Sequence, residues 1–83
     1  MGIKQLKFDV FRLEYNFVME KYNFLNKQVE KAIKKGKAFV YDIPLEIAKR
    51  ERVELIDHLH TLSKVSEYLD INLDDEVFVK LEC

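Results

Sequence analysis

The connection Lys31-Ala32-Ile33-Lys34-Lys35-Gly36-Lys37-Ala38-Phe39-Val40-Tyr41-Asp42-Ile43-Pro44-Leu45-Glu46 decides how this chain of 83 residues is arranged. Lys31, Lys34 and Lys35 suit the negative end of a helix dipole, and Gly36 offers a left-handed stop. Residues 37–43, with Phe39, Val40 and Tyr41 in the middle, are rich in β-forming side chains and lie between a glycine and a proline, which predicts a short strand. Pro44 fits the first position of a new helix and Glu46 its positively polarised first turn. One helix ends here, the chain turns back, and a second helix begins.

Upstream, Phe8, Phe11, Tyr15, Val18, Tyr22, Leu25, Val29 and Ala32 recur in steps of three and four, predicting a helix over 4–35. A second row, Leu6, Val10, Leu13, Phe17 and Phe24, makes the apolar face too wide for one partner helix to cover. Asn16, Asn23 and Asn26 are weak helix formers and mark a candidate kink near Asn23. Downstream, Leu55, Leu59, Leu62 and Leu69, flanked by Ile56, Val65 and Tyr68, predict a helix over 44–69. Asn72 to Asp75 is turn-like. Beyond it Val77, Val79 and Leu81 alternate with Phe78, Lys80 and Glu82, predicting a strand over 76–82 that pairs with the first. The expected fold is α+β, mostly α, in one domain over 1–83: two long antiparallel helices with a short two-stranded ribbon.

Two partial likenesses to DNA-binding proteins bear on this. Phe39 to Leu45 followed by a helix resembles the strand and first helix of ribbon-helix-helix repressors, yet the leucine spacing runs past Leu62 without the turn that family needs. Leu62 to Ile71 resembles the first helix of a helix-turn-helix, with Asn72 to Leu81 as recognition helix, which defines an all-α alternative. Asp74, Asp75 and Glu76 would then face phosphate, and Asp70 stands where the turn glycine belongs. Neither likeness identifies a family.

Composition narrows the function classes. Hydrophobic residues make up 48% and charged residues 35%, with two glycines and one proline, which excludes a disordered chain. A chain this short buries only about 60–65% of its unfolded surface, so a covering partner is expected. The net charge of −1 hides a bipolar distribution: nine basic residues against four acidic over 1–37, and five against eleven over 38–83. No apolar run reaches the roughly 18–20 residues of a membrane span and no hydrophobic leader is visible, so the expected compartment is the cytoplasm. The one cysteine, Cys83, can form only an intermolecular disulfide.

Candidate chemistry is sparse. His58 and His60 stand about 200° apart on a helix and cannot share a metal, and pairing either with Glu54 or Asp57 gives two ligands where zinc needs three or four. Ser63, Ser66 and Cys83 have no glycine-rich turn beside them to form an oxyanion hole. No enzyme activity, cofactor or metal is expected. Phe8, Phe11, Tyr15, Val18, Tyr22 and Leu25 are the expected self-association face. Lys31, Lys34, Lys35, Lys37, Lys49, Arg50 and Arg52, in the basic stretch 27–52, form the one candidate surface for nucleic acid or another anion. These features predict a small regulatory module that binds another protein as a homodimer, in the manner of small phage and plasmid regulators, with nucleic-acid binding as the alternative.

Overall fold

The computed structural model describes residues 2–82. The fold is α+β, mostly α: helix α1 (Ile3–Lys34), strands β1 (Phe39–Val40) and β2 (Ile43–Pro44), and helix α2 (Leu45–Tyr68). α1 is continuous through Asn23. Its 32 residues should measure about 48 Å, which matches the 50 Å long axis of the molecule.

Each helix ends by the same device. Gly36 (φ 65°) lets its own N–H reach the Ile33 carbonyl at 3.2 Å and the Lys37 N–H reach Ala32 at 2.9 Å. At the end of α2 Asp70 (φ 59°) does likewise, its N–H reaching Glu67 at 3.2 Å while the Ile71 N–H reaches Ser66 at 2.8 Å. In both, a left-handed residue turns two donors back onto the last carbonyls.

The ribbon lies wholly between the helices, which corrects the expected strand boundaries. Residues 37–43 do not form one strand: Phe39 pairs with Pro44 and Val40 with Ile43, around a two-residue turn at Tyr41 and Asp42. Pro44 closes β2 and stands at the N-cap of α2, one place before the helical position expected of it. The turn needs a left-handed residue and uses Tyr41 (φ 55°), whose ring stacks on Phe24 at 6.2 Å with 7° between planes. Residues 76–82 are neither strand nor recognition helix. The turn at Asn72–Asp75 is real: the Asp75 N–H reaches the Asn72 carbonyl and the Asp74 N–H reaches the Asn72 Oδ1 at 3.0 Å.

The antiparallel helices bury two apolar clusters. Beside the ribbon, the small side chains Ala32 and Ala48 allow close approach, and Val29 and Val40 pack with them against Leu25, Ile43 and Leu45. Toward the other end, Phe11, Tyr15, Val18 and Met19 of α1 meet Leu62 of α2 and Phe78 of the tail, with Phe8, Leu59, Leu69 and Ile71 around them. Phe78, 3% exposed, stands edge-on to Phe8, Phe11 and Tyr15 at 5.8, 6.0 and 5.5 Å. Burial raises the pKa of the Tyr15 hydroxyl above 10.0. Its neutral form is favoured in the folded chain, so its contribution is intact below that pH and is lost as the pH rises beyond it.

A Cβ at Gly36 would meet no atom within 4 Å, so Gly36→Ala tests the left-handed backbone alone. The variant should lose about 1–2 kcal/mol and melt roughly 4–8 °C lower per kcal/mol, read by circular dichroism at 222 nm.

Candidate functional site

The six residues expected to form a self-association face point into the chain's own core. Phe11, Tyr15, Val18 and Tyr22 are buried, and Phe8 and Leu25 are half-buried against the two clusters. The correction has a physical cause: the apolar face of α1 is too wide for α2, and residues 71–79 complete the cover. What remains open is the second row. Leu6, Val10, Leu13, Phe17 and Phe24 are 56–65% exposed, with Lys21 lying over the Phe17 ring at 5.7 Å and Tyr41 stacked on Phe24.

Two asparagines of α1 secure the tail by its backbone. Asn16 donates from Nδ2 to the Val77 carbonyl at 2.9 Å and accepts from the Val79 N–H at Oδ1 at 2.8 Å. Asn23, 5% exposed, repeats the pattern, donating to the Lys80 carbonyl at 2.9 Å and accepting from the Glu82 N–H at 3.0 Å. A carboxamide presents one donor and one acceptor side by side, so it can substitute for the edge of a neighbouring strand. Seven helical residues rise about 10.5 Å, and three extended residues span about 10 Å. The clamp at 16 therefore meets residue 79 and the clamp at 23 meets residue 82, with the tail running parallel to α1. Lys27 adds an ion pair to Glu82 at 2.7 Å.

In the sequence alone these asparagines read as helix-weakening positions. The available signal was their seven-residue spacing at the border of the apolar face, which places two carboxamides in line along the helix.

The basic candidates divide. Arg52 is committed to Glu30 at 2.8 Å and to the Asn26 Oδ1 at 3.0 Å, and Lys49 lies 3.7 Å from Glu46. Lys31, Lys35 and Lys37 line one open groove of about 640 Å³ with Gln28, Phe39 and Tyr41, and form no ion pair among the described residues. Lys34 and Arg50 are exposed outside its lining.

Two of the other polar candidates, His58 and Ser66, have local partners. His58 Nε2 lies 3.4 Å from Glu14 Oε1, an ion pair only when the imidazole is protonated. The Ser66 hydroxyl donates to the Ser63 carbonyl within α2. Among the described residues no group of three or more His, Cys, Asp or Glu could hold a metal ion. Among the described residues no helix is long and apolar enough to cross a membrane. Cys83 lies outside the described residues.

Comparison with protein-family models, with curated proteins and with solved structures found no match.

Asn23→Asp keeps the shape and the acceptor for the Glu82 N–H but replaces the donor to Lys80 with a carboxylate oxygen. The variant should lose about 1–3 kcal/mol in urea unfolding at neutral pH, whereas Asn26→Asp should lose less because its Oδ1 acceptor for Arg52 is retained.

Proposed function

We propose that this protein is a small regulatory module that acts by binding other proteins, and that it does so as a homodimer formed through the open row of α1. The observation that carries this reading is the line Leu6, Val10, Leu13 and Phe17, spaced four, three and four residues apart and more than half exposed. That spacing is a helix-pairing seam.

Charge selects the orientation. Paired antiparallel about a point between Val10 and Leu13, each copy sets Leu13 against Val10 and Phe17 against Leu6 of the other, and brings Glu14 beside Lys7 twice. Parallel pairing would bring Asp9 toward Glu14, like charges across the seam. Two copies supply eight large side chains, each gaining about 1–2 kcal/mol on burial. That total exceeds the roughly 4–15 kcal/mol cost of association by the ~8 kcal/mol of a micromolar complex only with near-full burial and a cost at the low end of that range, so the dimer is expected at micromolar affinity or weaker. The compartment expected for such a module is the cytoplasm.

A second reading rests on the groove lined by Lys31, Lys35 and Lys37 with Phe39 and Tyr41 exposed beside them. Lysines spaced along a groove with open aromatic faces suit a single-stranded nucleic acid, whose phosphates and bases would take the two kinds of side chain.

Light scattering after size exclusion at tens of micromolar should give twice the chain mass of 9.9 kDa. Leu13→Asp should give the single-chain mass with its helicity intact. Glu14→Lys should weaken the dimer, and Glu14→Lys combined with Lys7→Glu should restore it; a wild-type mass of one chain would refute the dimer. For the second reading, Lys31→Glu, Lys35→Glu and Lys37→Glu together should abolish retention on immobilised single-stranded DNA, and unchanged retention would dismiss the groove.

A further inference from the structure

We infer that the surface of α1 bearing Asn16 and Asn23 is a receptor groove for an extended peptide. The chain's own tail is its resident occupant, and the partner is a protein presenting an extended segment with an aromatic residue followed four places on by an acid. The inference rests on the reading that the protein acts by binding and names the chemistry of what it binds.

The tail is held as a ligand is held. Asn16 and Asn23 contact its main chain alone, taking the Val77 and Lys80 carbonyls and the Val79 and Glu82 N–H groups. Such contacts accept any side chain at those places, and they require an extended backbone in one register. Ile71, Leu73 and Val79 add apolar packing on the same cluster, and two side chains make the directed contacts. Phe78 fills the aromatic site made by Phe8, Phe11 and Tyr15, and Glu82 reaches Lys27.

Between these anchors Leu81 is 57% exposed. The turn before Phe78 is tied mostly to itself, with Lys80 Nζ donating to the Leu73 and Asp75 carbonyls at 2.6 and 2.8 Å and the Val77 N–H reaching Asp75 Oδ1 at 3.2 Å. No backbone hydrogen bond joins residues 76–82 to either helix among the described residues. A segment from another protein with the same pattern can make the Asn16, Asn23, aromatic and Lys27 contacts once the tail lifts away, so the tail acts as a built-in competitor.

The test uses the full chain and a fluorescein-labelled synthetic peptide of residues 71–82, followed by anisotropy. Val79→Pro removes the N–H that Asn16 accepts and loosens the resident tail. This variant should bind the peptide at least about tenfold more tightly than the wild type, because apparent affinity scales with the open fraction. Adding Asn23→Ala to that variant, or N-methylating the peptide at Glu82, should reverse the gain by about tenfold. A Val79→Pro chain that stays helical yet binds no more tightly than wild type, or binds regardless of Asn23, would overturn the inference.

Should Val79→Pro fail to fold, hydrogen exchange of the wild type decides. Protection at Val79 and Glu82 lower than at Val29 by tenfold or more supports a tail that opens alone, and equal protection overturns it. Leu13→Asp in the same chain should leave peptide binding unchanged while altering the dimer mass, so this inference and the dimer fail separately. A dimer of Val79→Pro that persists with Leu13→Asp and excludes the peptide would assign the groove to exchanged tails and overturn the partner proposed here.

Discussion

A helix and an extended chain advance at different rates, and the tail of this protein depends on the point where the two rates agree. Seven residues of helix and three of extended backbone cover nearly the same distance, about 10 Å. Asn16 and Asn23 sit at that interval and offer the same donor and acceptor pair to the tail. Matching at two points sets the register, and the register places Phe78 over Phe8, Phe11 and Tyr15 rather than one residue away, where the opposite face of the tail would be presented. Without that seating the aromatic end of α1 would face water.

The two ends of the helical pair solve the covering problem differently. Beside the ribbon, Ala32 and Ala48 bring the helices together and Val40 closes the end. At the far end α1 carries aromatic residues whose bulk a second helix alone does not cover, and the irregular tail supplies the missing layer. The asymmetry follows from side-chain size along α1, with Phe8, Phe11 and Tyr15 at one end and Val29 and Ala32 at the other.

This division leaves two surfaces with distinct characters on one helix. The face toward the tail is polar at its clamps and aromatic at its anchor, which suits an extended chain read through its backbone. The open row from Leu6 to Phe24 is apolar at helical spacing, which suits another helix. The groove of Lys31, Lys35 and Lys37 lies beyond both, at the ribbon end, where the C-terminal dipole of α1 already favours positive charge.

Local chemistry made much of the fold legible. The helical spacing from Phe8 to Ala32, the stop at Gly36 and the leucines of α2 defined both long helices to within a residue, because periodicity and backbone freedom act over a few neighbours. The ribbon was legible as a β-prone stretch, but its turn was not, since a left-handed Tyr41 is supported by Phe24, a residue distant in sequence. The alternation from Val77 to Glu82 read as a strand because extended backbone has the same period whichever hydrogen-bonding partner it meets. Which groups would accept its hydrogen bonds, and therefore which apolar row of α1 would be covered and which left open, was decided only when the tail met Asn16 and Asn23 across some sixty residues of chain. Such contacts depend on three-dimensional register, which local sequence does not encode.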